Sequence, residues 1–336
     1  MNAPKCQPED YIDFLVASPR AVSGTAAARV QPHRERPPAH DAFTRLLHRL
    51  EPDPSALWAE VAPLVRRERG ALVLDDSTLD KPYARQMDLV TRHWSGKHRR
   101  VVRGINLLTL LWTDGDALLP CDYRLYEKAT DGLSKNDHFR ALLATAEQRG
   151  FAPECVVFDS WYASLDNLKP LRRQGGRWLT QLKANRLVNP DGTGNRPLGE
   201  CAIAETGTRV HLQGYGFVLV FRIVTPDGDT EDWATDDLAM TELTRLKYAE
   251  FAWGIAVYHR GLKQHCGVEH AQVRAARAPR NHLGCAIRAF LRLELHRLRT
   301  GVSWWEAKTG IIREAVRAYP AAPRYTLPPA PVTPTA

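Results

Sequence analysis

The sequence predicts an α/β fold in which a mixed sheet is flanked by helices, preceded by a small helical region and interrupted by a β-rich insertion. Three observations carry this prediction. Three β-type segments in a row, ALVLDDS, VVRGINLLTLLW and ALLPCDYRLYE, precede a helix-strand-helix-strand run, a pattern that fits a mixed sheet better than a purely parallel one. Residues 187–244 then fill with turn residues and short apolar strands. Finally, 336 residues with 44% hydrophobic and 25% charged side chains suffice for one large core or two linked domains, and exclude a disordered or collagen-like chain.

In residues 1–70, YIDFLVAS reads as a helix and PHRERPP as a turn or linker. HDAFTRLLHRL repeats Phe43, Leu46, Leu47 and Leu50 at helical spacing, and Pro54 opens a further helix, SALWAEVAPLV. Together they predict an N-terminal helical region. Residues 71–186 supply the first part of the core: three strands, the helix NDHFRALLATAEQRG ended by Gly150, the strand CVVFDS, the helix YASLDNLKPLRRQG and the strand RWLTQLK. Residues 187–244 form the insertion. Residues 245–320 return to helix with a break expected at Pro279, and 321–336 read as a disordered Pro/Ala tail that cannot pack a core.

The formal charge is +8, from 46 Lys and Arg against 38 Asp and Glu, which weakly favours an anionic partner. Its distribution says more. The insertion holds ten acidic and three basic residues, residues 245–299 hold three acidic and eleven basic, and residues 85–103 hold one acidic and six basic. A basic C-terminal helical face is the strongest compositional pointer to a polyanion site, against the alternative of a solvated Arg-rich surface. The six cysteines are scattered without a CxxC pair, which fits a reducing compartment and not a structural zinc site. The longest apolar stretch, Ile105 to Trp112, is far short of the roughly 20 residues of a membrane helix, and the start lacks a signal-peptide pattern. A cytoplasmic protein without membrane contact is expected.

Two apolar strands end in carboxylates: ALVLDDST in Asp75 and Asp76, and CVVFDSWY in Asp159. Neighbouring strand ends can bring such groups together, where they repel unless a proton or divalent cation is shared, an arrangement suited to Mg²⁺-assisted phosphoryl transfer. Capping of the following turn is the competing role. Successive residues alternate faces along a strand, so only one of the pair should face the site. Asp76, continued by Ser77 and Thr78, is the expected ligand, with Asp75 in support. In residues 85–103, a Trp94-Ser95-Gly96 turn lies among Lys97, Arg99 and Arg103, candidate DNA contacts unless the segment is a plain solvent-facing hairpin. On the helix around WGIAVYHRGLK, Arg260 and Lys263 can present two charges to phosphate, and His259 reads as a hydrogen-bonded surface or interface histidine. Cys266 and His265 are adjacent on a helix, which argues against a nucleophilic pair. These residues leave open a metal-dependent DNA-processing enzyme, a non-catalytic DNA-binding protein and a metallohydrolase of small phosphates.

The stretches LVLDDSTLDKPYA, TRHWSGKHRRVVRGINLLTLLWTDG, KNDHFR, VVFDSWYASLDNLK, LKANRLV and WGIAVYHRGLKQHCGVEHAQVRAARAPRNHLG occur in an order that resembles DDE transposases of the insertion-sequence IS4-like superfamily, over roughly residues 39–320. The resemblance implies a ribonuclease-H-like core, a β-rich insertion before the last catalytic helix, and two Asp and one Glu holding Mg²⁺ or Mn²⁺. Asp76 and Asp159 match the two aspartates as catalytic and metal-binding residues, and Arg260 and Lys263 match basic positions that contact DNA. The glutamate's place in Trp253-Gly254-Ile255-Ala256 is taken by Ala256. Neither Glu250, six residues upstream, nor Glu269, thirteen downstream, is an obvious substitute on an unbroken helix. The implied function is an insertion-sequence transposase that cuts and rejoins DNA strands, acting as a homodimer on the terminal inverted repeats and target DNA. The alternative is a catalytically impaired DNA-binding relic.

Overall fold

The computed structural model describes residues 4–19, 23–32, 35–96, 98–127, 130–225 and 228–323. The expected tail beyond residue 323 and Lys97 lie outside the described residues. Strands β1 (Ala71–Asp80), β2 (Thr91–Ser95), β3 (Arg100–Thr113), β4 (Leu119–Tyr126), β5 (Cys155–Phe158) and β6 (Trp178–Leu182) build the core of one sheet. β1 pairs antiparallel with β3 and parallel with β5, β3 pairs antiparallel with β4, and β5 pairs parallel with β6. The spatial order β4-β3-β1-β5-β6, three antiparallel strands joined to two parallel ones, is the expected ribonuclease-H-like arrangement. Residues 71–74 of β1 are all buried, as a central strand covered on both faces requires.

The insertion supplies β7 (Leu187–Asn189), β8 (Arg196–Pro197), β9 (Thr208–Leu212), β10 (Gly216–Val224) and β11 (Thr230–Thr235). It extends the same sheet, because β11 pairs antiparallel with β6. The N-terminal helices are α1 (Pro8–Ala17), α2 (Gly24–Arg29), α3 (His40–Arg49) and α4 (Ser55–Val61). They are followed by α5 (Lys135–Gln148), α6 (Leu165–Arg173), α7 (Glu242–His265), α8 (Arg277–Thr300) and α9 (Trp304–Ala321). The six-residue α2 has too few apolar positions to be read from periodicity. α1 and α3 pack on α8, and α4 on β4, so the N-terminal helices share the core of the later chain. Tyr11, Ile12, Phe14 and Leu15 are buried there, each burial contributing about 2 kcal/mol.

α5 begins in a capping box between Ser134 and Asp137, which satisfies two otherwise unpaired N–H groups. Thr241 caps α7, and Ser303 with Glu306 caps α9. The helical break falls at residues 266–276, not at Pro279. Pro279 occupies the first turn of α8, where its missing N–H would have no partner in any case. A Cβ on Gly261 would stand 2.7 Å from Trp304 and 3.0 Å from Phe290, so glycine permits α7 to approach α8 and α9 closely. All six cysteines are buried and free, and no helix among the described residues is long and apolar enough to cross a membrane.

Candidate active site and nucleic-acid interface

β1 and β5 run side by side with Leu74 opposite Phe158, so Asp75 and Asp159 occupy the next position on each strand line. Both line a cleft of about 630 Å³ whose far wall is α7, contributing Arg245, Ala249, Glu250, Ala252, Trp253 and Ile255. Asp75 is held by Asp76 N–H, which donates to its Oδ1 at 2.7 Å. Burial, with the charges of Asp76 and Asp159, raises its pKa well above the ordinary carboxylate range. Asp159 caps the short 3₁₀ turn Ser160–Tyr162, accepting from Trp161 N–H at 2.7 Å, so the capping role exists alongside its place in the cleft.

Asp76 points the other way, as strand alternation requires. Its Oδ1 accepts from the Tyr162 hydroxyl at 2.6 Å, and its Oδ2 from Asn106 Nδ2 at 2.6 Å and Lys135 Nζ at 2.7 Å. Burial pushes the Asp76 carboxyl up, but the Lys135 ammonium and these three hydrogen bonds outweigh it, and the net shift is downward. The structure thus sets Asp75 in the cleft with Asp159, while the oxygens of Asp76 are occupied by an internal network toward α5. The first position of α5 delivers Lys135, a contact that no local pattern announces.

Ala256 is exposed on α7, one turn beyond Ala252 and Trp253. Among the described residues no group of three His, Cys, Asp or Glu is placed to hold a metal ion. Hard carboxylate oxygens suit Mg²⁺ or Mn²⁺. The donors Asp75 and Asp159 are of the kind that would hold one such ion, and position 256 adds no third carboxylate to them. Glu250 does line the cleft, a nearness that counting along the helix gave no reason to expect.

The basic candidates separate. Trp94 lies in β2, not in a turn, and is 65% exposed. Across the β2–β3 hairpin Arg92 stands opposite Arg103 and Trp94 opposite Val101, so one face presents two arginines and an indole to solvent. Arg99 is exposed in the connecting turn with φ +48°. Arg260 is exposed and lines a separate cavity with Gln264, Arg297 and Trp305. Lys263 instead turns to β1, donating to Thr78 O at 2.8 Å and lying 3.6 Å from Glu269. His259 is buried, not at the surface, with Nε2 unpartnered, and burial pushes its pKa down to about 3.

The C-terminal arginine surplus is largely spent inside the molecule. Arg277 pairs with Glu51, Arg280 with Glu127, Arg288 with Glu9 and Glu60, Arg292 with Glu60, and Arg297 with Glu294 and Asp116. The basic face expected on α8 is in good part the glue that binds it to the N-terminal helices and the β3–β4 turn. Sequence counting could not see this, because the acidic partners lie up to 279 residues away in the chain.

Residues 14–198 match the family model described as DDE superfamily endonuclease. The match spans both aspartate strands and ends before α7, so it does not extend to Ala256. Among solved structures, the chain is similar to a piggyBac transposase in a cryo-EM synaptic complex with hairpin DNA. The TM-score is 0.52 at 12% identity, over 97% of this chain and 74% of that one. No curated protein matches the chain.

Proposed function

Because the chain belongs to the DDE superfamily of endonucleases, we propose that it is an insertion-sequence transposase that engages DNA ends while its strand cleavage is strongly depressed. The observation that carries this is the cleft in which Asp75 and Asp159 meet against α7, the helix whose position 256, matched to the third carboxylate, is an exposed alanine. The exposed β2–β3 face supports the DNA-binding half of the reading. Arg92 opposite Arg103 is a like-charge pair that costs stability unless an anion lies over it, and Trp94 beside it suits stacking or groove contact.

A bound Mg²⁺ or Mn²⁺ would supply Lewis-acid stabilisation of the charge that develops on the reacting phosphate. Asp75 and Asp159 would hold it. Tyr162, Asn106 and Lys135 fix Asp76, and through the Asp76 N–H fix Asp75, so the chain's own contribution is a pre-set carboxylate pair. The substrate is double-stranded DNA at the terminal repeats of the element and at the target, with two copies of the chain joining two ends. A second reading follows from Glu250 on the cleft wall: residual cleavage that depends on Glu250.

The test is Mg²⁺-dependent nicking of the repeats flanking the gene. Ala256→Glu is expected to raise nicking at least tenfold over the native chain, and equal activity in the two proteins would sink the depressed-site reading. If the native chain nicks and Glu250→Gln abolishes it, the second reading takes its place.

A further inference from the structure

Arg245, in the first turn of α7, is only 6% exposed, yet its Nε meets no hydrogen-bond partner. Among the described residues no carboxylate pairs with its guanidinium. The guanidinium lies over the Phe221 ring, at 6.0 Å from its centroid. The nearby Glu231 is engaged elsewhere, accepting from Trp233 Nε1 at 2.8 Å. A nearly buried guanidinium whose Nε is unpartnered and which no carboxylate accompanies is costly, since buried charges are ordinarily paired. It lines the same cleft as Asp75 and Asp159.

We propose that Arg245 is a phosphate-binding residue that holds the backbone of the DNA strand entering this cleft, at a phosphate distinct from the one presented to Asp75 and Asp159. A planar guanidinium fork suits a phosphodiester bidentately. Along α7, Arg245 and Ala252 are seven residues apart, about 10 Å, which exceeds the spacing of successive phosphates along a strand and so separates two of them. Arg245 would therefore set how deep the strand lies while the two aspartates face the reacting position. Helix α7 would hold the strand at one end of the cleft even though it lacks the carboxylate at Ala256. The inference rests on the DNA-binding reading above and deepens it by assigning the anion of this one residue.

The test scans a duplex spanning the flanking repeats with single neutral methylphosphonates, measuring affinity and salt dependence for the native chain, Arg245→Gln and Arg245→Lys. The expected result is one phosphate whose neutralisation weakens the native chain about tenfold and leaves Arg245→Gln unaffected. The salt slope of that variant should be shallower by about 1. A native chain that binds in a salt-dependent way, with a profile unchanged in Arg245→Gln, overturns the assignment alone. A native chain that binds no duplex sinks the DNA reading and the assignment with it. Thermal unfolding of each variant separates loss of contact from loss of fold. Should the Gln variant not fold, a reduced penalty at that single phosphate in Arg245→Lys supports the contact, and an unchanged profile overturns it.

Discussion

Asp75 and Asp76 are chemically identical neighbours with opposite fates, and the difference lies in what faces each of them. Asp76 stays charged because Lys135, Asn106 and Tyr162 surround it, whereas Asp75 is disfavoured as an anion by burial and by the charges of Asp76 and Asp159. Lys135 and Asp76 are both mostly shielded from water, at 20% and 17% side-chain exposure. Removing one partner strands the other. Lys135→Met should cost about 3 kcal/mol in urea unfolding, and most of that loss should return in the Lys135→Met, Asp76→Asn double variant. A single variant as stable as the native chain would mean that Asp76 draws its support from elsewhere. The sequence offered the Asp-Asp pair and the rule that only one can face the site. It could not say which, because Lys135 approaches from a helix 59 residues away.

At the scale of elements, α1 is fastened to α8 through a histidine whose tautomer the structure dictates. His282 Nε2 lies 3.1 Å from Gly267 O, a contact that requires the proton on Nε2, so Nδ1 accepts from the Tyr11 hydroxyl at 2.9 Å. Burial, assisted by the charge of Lys81, lowers the His282 pKa from 6.5 to about 4. The unfolded chain therefore takes up a proton that the folded one refuses. Stability is complete above about pH 6.5 and falls as the pH drops toward 4, on the order of 3 kcal/mol in all. Urea unfolding at pH 7 and pH 5 should give a smaller difference for His282→Gln than for the native chain, and an equal difference would remove His282 as the cause. The β2–β3 hairpin is the other element with a testable charge. Arg92→Ala with Arg103→Ala should weaken duplex binding uniformly across sequences and flatten the salt slope by about 2, checked by binding titrations across ionic strength. An unchanged slope would place the DNA path elsewhere.

For the whole molecule, the +8 of the sequence divides into internal and external shares. Arginines of α8 neutralise Glu9, Glu51, Glu60 and Glu127, while those of the β2–β3 hairpin remain exposed. The sequence by itself determined the mixed-sheet order of strands and helices, since apolar runs, turn residues and helical periodicity are local properties, and its resemblance to DDE transposases implied the ribonuclease-H-like core. It also determined the two aspartate-bearing strand ends and the absence of a carboxylate at position 256. Only the tertiary structure decided that Asp75 and not Asp76 enters the cleft, that Lys263 is turned to Thr78, that α8's charge is largely consumed in ion pairs, and that Arg245 is left nearly buried with no carboxylate partner among the described residues. Each of these depends on which side chains distant segments bring within about 3 Å, the range over which a hydrogen bond or ion pair is made or missed. Chain spacing carries no information about that distance.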